Sequence, residues 1–141
     1  MKKIIISSLL ALSSLYASTA ERAHIGIAHD TNSIHLGYDI DTALRVEGYF
    51  AYDEDFDKRI DLGVGGFYKT AATENSLFYV GARLGVVDFS TLDGGLLFTP
   101  TAGYEYMFNE HVSFGAEAGL AVGTGDLPTQ TVTNLTLRYY F

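Results

Sequence analysis

The sequence predicts an all-β chain, an eight-stranded antiparallel up-and-down transmembrane β-barrel, on three observations. Apolar and polar residues alternate with a period of two over eight segments of roughly 8–11 residues, about the length of a tilted membrane-crossing strand. Glycine gathers on the polar side of the alternation. The apolar side is banded, aromatic towards the strand ends and aliphatic between them.

The segments follow in order. Ala23, Ile25 and Ile27 alternate with Arg22, His24 and Gly26; after His29-Asp30-Thr31-Asn32, Ile34, Leu36 and Tyr38 alternate with His35, Gly37 and Asp39. Past a turn at Asp41-Thr42, Leu44, Val46, Phe50 and Tyr52 oppose Arg45, Glu47, Tyr49 and Ala51. Asp53-Glu54-Asp55-Phe56-Asp57 reads as an acidic loop, then Ile60, Leu62, Val64 and Tyr68 oppose Arg59, Asp61, Gly63 and Gly65. A polar link is expected from Lys69 to Asn75. Phe78, Val80, Ala82, Leu84 and Val86 then stand against Tyr79, Gly81, Arg83 and Gly85. After a loop from Asp88 to Gly95, Leu96, Phe98, Ala102, Tyr104 and Tyr106 oppose Thr99, Thr101, Gly103 and Glu105. Pro100 removes a ladder donor there, and a bulge is expected. Asn109-Glu110-His111 turns the chain into Val112, Phe114, Ala116, Ala118 and Leu120, opposed by Ser113, Gly115, Glu117 and Gly119. Beyond a loop from Gly123 to Gln130, Leu135, Leu137, Tyr139 and Phe141 alternate with Asn134, Thr136, Arg138 and Tyr140.

Residues 1–20 form a secretory signal peptide in this reading. Lys2 and Lys3 precede an apolar run from Ile4, and Ser18-Thr19-Ala20 offers small cleavage residues, with cleavage after Ala17 as the second choice. The run is shorter than the roughly 20 residues of a membrane helix. Residues 21–141 are then a single barrel domain. Loss of Lys2 and Lys3 takes the formal charge from −8 to −10, which argues against nucleic acid as a partner. The chain has no cysteine, so neither a lipid anchor on cysteine nor a disulfide framework is available. No segment after residue 20 is apolar for long enough to cross a membrane as a helix, so crossing requires a closed barrel.

The alternation also fits a soluble barrel turned the other way, and the glycines and aromatics decide between the two. Gly26, Gly37, Gly63, Gly65, Gly81, Gly85, Gly103, Gly115 and Gly119 lie on the polar side, as a narrow filled interior requires. On the apolar side Phe50, Tyr52 and Phe98 fall at one end, and Tyr38, Tyr68, Phe78, Tyr104, Tyr106, Phe114, Tyr139 and Phe141 towards the other. A bilayer selects such aromatic girdles around an aliphatic band.

The terminal stretch, with Leu135, Leu137, Tyr139 and Phe141 at every second position, resembles the assembly signal of outer-membrane barrels. Taken whole, residues 21–141 resemble the small eight-stranded outer-membrane barrels of the OmpA transmembrane-domain, OmpX and opacity-protein type. The chain differs from OmpA in having nothing after the last strand, and from the opacity adhesins in its short outer loops. The resemblance implies a Gram-negative cell outer membrane, and as partners its lipid, lipopolysaccharide and the barrel-assembly machinery, with the chain a monomer.

Candidate site residues lie on the polar side. A lumen charge network of Arg45, Glu47, Arg59, Asp61, Arg83, Glu105, Glu117 and Arg138 is expected, because charges buried in a narrow interior must pair. His24 and His35, with Asp39 nearby, read as hydrogen-bonded lumen histidines, since a metal site needs a third convergent ligand. His111 and Ser113 have the His-x-Ser spacing of outer-membrane lipid A deacylases, but Phe114 replaces the asparagine of that motif, and no orienting acid is evident. The acidic loop lacks EF-hand spacing for Ca²⁺. No catalytic residue, metal or other cofactor is expected. The function read from the sequence is a non-catalytic envelope-structural or surface-interaction role. Its alternatives are a narrow porin-like channel and a lipid-modifying enzyme.

Overall fold

The computed structural model describes residues 22–29, 32–53, 59–87, 95–125 and 127–141. The signal-peptide segment 1–20 and most of the acidic loop lie outside them. Eight strands follow one another: β1 (Arg22–Ala28), β2 (Ser33–Asp39), β3 (Leu44–Asp53), β4 (Arg59–Thr73), β5 (Ser76–Val86), β6 (Leu96–Met107), β7 (Val112–Gly123) and β8 (Gln130–Tyr140). Each pairs antiparallel with the next, and β8 closes on β1, giving an up-and-down barrel. Closure pairs every strand on both sides, which removes the free edges an open sheet would leave.

The two ends differ. Residues 40–43, 74–75 and 108–111 form tight connections at the end that also carries Arg22 and Phe141 (the turn end), and the connections at 29–32, 54–58, 87–95 and 124–129 belong to the opposite loop end. Two turns are held by one side chain each. Asp41 Oδ1 accepts from the amides of Ala43 and Leu44 at 2.6 and 2.7 Å, and Asn109 Oδ1 from those of His111 and Val112 at 2.8 and 2.9 Å.

The outward face is apolar. Leu36, Val64 and Val80 project at mid-strand, with Phe50, Tyr52 and Phe98 towards the loop end. Tyr68, Phe78, Tyr104, Tyr106, Phe114 and Tyr139 ring the turn end, together with half-buried Tyr38 and Phe141. Phe108, which the alternation did not include, extends that ring with its edge against Tyr106, the ring centroids 5.5 Å apart. Inward, glycine makes room for large side chains: a Cβ on Gly103 would overlap the Tyr79 ring, and one on Gly85 the Tyr49 hydroxyl.

Two expectations are corrected. The stretch from Lys69 to Asn75 is not a polar link: β4 runs on to Thr73, pairs with β5 down to Thr73↔Ser76, and buries Lys69 in the lumen. The reason is local, because outward Gly66 and inward Phe67 reverse the hydropathy of the alternation just before it. Pro100 makes no bulge either. The β6–β7 ladder opens between Phe98↔Val122 and Thr101↔Gly119 and resumes in the same register, while Pro100 keeps its place opposite Ala82. A register irregularity falls instead at Ala71–Thr73 in β4.

Candidate functional site

The site is the lumen, and two balanced tiers of charge fill it. Alternation turns Asp39, Arg45, Lys69, Glu105, Ser113 and Tyr140 inward near the turn end. There Arg45 donates through Nε to Asp39 Oδ1 at 2.7 Å, through Nη1 to Glu105 Oε2 at 2.8 Å, and through Nη2 to the Tyr140 hydroxyl at 2.6 Å. Lys69 Nζ lies 2.7 Å from Asp39 Oδ2. Glu105 Oε1 accepts from Tyr140 at 2.5 Å and also from Ser113. Two cations meet two anions in this tier.

The second tier lies deeper. Arg83 grips Glu117 with both nitrogens, at 2.9 and 3.0 Å, and reaches Glu47 at 3.2 Å. Arg138 sits 2.8 Å from Glu117, 3.3 Å from Glu47 and 2.9 Å from Thr136 Oγ1. Tyr79 donates to Glu117 at 2.6 Å. Again two cations meet two anions, and Arg138–Glu105 at 3.6 Å and Arg45–Glu47 at 3.8 Å join the tiers. The guanidinium planes also lie near aromatic faces, Arg83 over Phe67 at 4.8 Å and Arg138 over Tyr79 at 5.5 Å.

His24 and His35 both meet Glu47. His24 Nε2 donates to Oε1 at 3.1 Å. His35 Nδ1 donates to Oε2 at 3.4 Å, and its Nε2 lies 2.8 Å from the Ser33 hydroxyl. Asp39 does not join them, being engaged by Arg45 and Lys69. Among the described residues, no group of three His, Asp or Glu side chains is placed to hold a metal.

Of the residues singled out in the sequence, Arg45, Glu47, Arg83, Glu105, Glu117 and Arg138 come together here. Asp61 is half-buried opposite Ala51, nearer the loop end than either tier. The Arg59 side chain lies outside the described residues. Sequence reasoning missed Lys69, gave no role to Tyr79, Tyr140 or Thr136, and weighed Ser113 only beside His111, although all but Lys69 stand at inward positions of the alternation. His111 and Ser113 form no dyad. Ser113 is buried against Glu105, whereas His111 lies exposed in the turn, with Nδ1 3.0 Å from the Tyr140 carbonyl oxygen and its ring stacked on Tyr139.

These features define a transmembrane-type eight-stranded barrel with a salt-bridged interior. No protein-family model matches the chain, and no curated protein sequence does. Solved structures match its fold. A structure described as de novo design of transmembrane β-barrels aligns with a TM-score of 0.58 at 15% identity, over 90% of this chain and 100% of that one. The de novo designed TMB2.3 gives 0.56 at 17%, over 85% and 92%. The Yersinia pestis outer membrane protein Ail, in a phospholipid bilayer nanodisc, gives 0.53 at 17%, over 87% and 100%. At these identities the likeness is one of fold.

Proposed function

We propose that the chain is an integral outer-membrane barrel with a non-catalytic role in the envelope or at its surface, its lumen closed to solutes. One observation carries the closed lumen. Arg83 and Arg138 each reach both Glu47 on β3 and Glu117 on β7, and these strands face each other across an eight-stranded ring. Ion pairs that join opposite walls block the axis. The apolar outer belt between aromatic girdles supports membrane insertion, and the tight turns at residues 40–43, 74–75 and 108–111 support a periplasmic location for that end.

The test is single-channel recording of the refolded barrel in planar bilayers, with folding verified by a heat-dependent gel shift. Silence is expected, and steady openings would refute the closed lumen in favour of a narrow channel. Cleavage after Ala20 is checked by sequencing the amino terminus of the exported protein, expected at Glu21. Recognition by the assembly machinery through the last strand predicts slower assembly in cells when Phe141 is deleted. A non-catalytic role predicts unchanged lipid A masses on expression.

A further inference from the structure

Two glycines interrupt the outward apolar face, Gly48 on β3 and Gly66 on β4. The inward glycines have a packing reason, since an added Cβ would press on lumen side chains or on neighbouring backbone. These two do not: a Cβ on Gly66 would meet nothing within 4 Å, and one on Gly48 only the Gly63 carbonyl oxygen at 3.8 Å. Glycine weakens a strand and often marks a place where something approaches the backbone closely. Among the described residues nothing makes that approach here.

The two are diagonal neighbours, Gly48 paired with Val64 and Gly66 with Val46. They floor a groove of about 720 Å³ walled by Tyr38, Val46 and Val64 and ending at Phe141. It runs from the turn end up to the middle of the apolar belt, and the surface it exposes is almost wholly apolar, with the buried lumen residues His24 and Glu47 beneath its floor. We propose that this groove seats one acyl chain of a phospholipid whose headgroup lies at the turn end. The inference rests on the transmembrane reading above.

Three properties select that occupant. The groove lies along the barrel wall from rim to waist, the course of an acyl chain in the adjoining leaflet. Its floor strands are paired on both sides, β3 with β2 and β4, and β4 with β3 and β5. An added peptide strand therefore finds no free hydrogen-bonding edge. A second copy of the chain would need about 800 Å² from each partner, and the groove offers a small fraction of that.

The test uses residues 21–141 in phospholipid nanodiscs doped with lipid carrying a nitroxide on its acyl chain, read by amide line broadening. Ala102 and Ala118, paired small residues on the outward face of β6 and β7, are the reference. Broadening at Gly48 and Gly66 should exceed theirs by roughly twofold or more, since a preference of only thermal size raises local occupancy about 2.7-fold. Gly66→Leu, whose side chain enters open space, should fold by the gel-shift criterion and abolish the excess at Gly48. Equal broadening at all four amides would leave only the general lipid shell and overturn the proposal. Broadening of Gly48 by a nitroxide-labelled second copy would overturn it in favour of a protein contact. If a water-soluble paramagnet broadens Ala102 and Ala118, the transmembrane reading itself falls, and the groove proposal with it.

Discussion

Replacing Arg83 with methionine probes the charge balance directly. Arg83 is 7% exposed and holds Glu117 at 2.9 and 3.0 Å and Glu47 at 3.2 Å. Methionine keeps much of the length and the contact with Phe67 but removes the cation, leaving Glu47 and Glu117 to share Arg138. Breaking a buried pair from one side costs about 3–5 kcal/mol, because the other charge stays buried. At about 1.36 kcal/mol per factor of ten, the folding equilibrium falls by two to nearly four orders of magnitude. Urea unfolding in lipid vesicles measures this as a lower midpoint at unchanged slope. Far-UV circular dichroism is the probe, since the chain has no tryptophan. Adding Glu117→Gln to Arg83→Met restores one cation against one anion, so the double variant should be more stable than the summed single effects by about 1–3 kcal/mol. An Arg83→Met midpoint within about 1 kcal/mol of the parent, or strict additivity in the cycle, would refute the balanced tier. A stable variant that conducts freely would refute the closed lumen.

Four further outcomes follow from the structure. Val80 is 55% exposed at mid-belt, and Val80→Arg should cost about 2–4 kcal/mol in vesicles; a cost within about 0.5 kcal/mol would mean that Val80 faces water. Gly103→Ala forces a methyl into the Tyr79 ring and should cost about 1–3 kcal/mol. Gly66→Ala meets open space and should gain about 0.5–1 kcal/mol, and the temperatures of the gel shift should move in opposite directions. The Asp41 carboxyl is held below its ordinary value chiefly by the Ala43 amide and then by that of Leu44. Its stabilisation of the turn is therefore present above the ordinary carboxylate range and lost as pH falls through the depressed value. NMR titration should find its midpoint below 3.8, and a midpoint at or above that would remove the turn from the pH dependence.

The eight strands were legible because every segment faces two environments, so period-two alternation marks strand and face together. Legibility failed where side-chain size and polarity disagree with the face. At Gly66-Phe67 the outward residue is small and the inward one apolar, and the reading stopped one residue short of Lys69. Tyr79 and Tyr140 stood at inward positions, but an aromatic ring does not announce a hydroxyl that will bind a carboxylate. The identities of the partners were beyond reach for another reason. Arg45 and Glu105 meet across sixty positions of sequence, which depends on the stagger with which the barrel closes. No single strand carries that information.

Closure is the feature with the widest consequence. Among the described residues the seam between the first and last strands pairs His24–Ala28 with Thr136–Tyr140, extended by one backbone hydrogen bond at each end, His29 to Leu135 and Phe141 to Ala23, both 3.0 Å, so residues 130–134 of β8 pair with β7 alone. Joining residues from opposite ends of the chain also carries the largest loop-closure entropy, so the seam is the step expected to form last and to open first. Yet β8 contributes Arg138 and Tyr140 to the lumen, and through them it is tied to Glu47 on β3, Glu105 on β6 and Glu117 on β7. The interior thus acts as a keystone, locking the final strand from within where the ladder beside it is short. Hydrogen exchange should register this: loss of Arg138 would speed exchange of the Ile25–Ile27 amides well before those of the long β4–β5 hairpin.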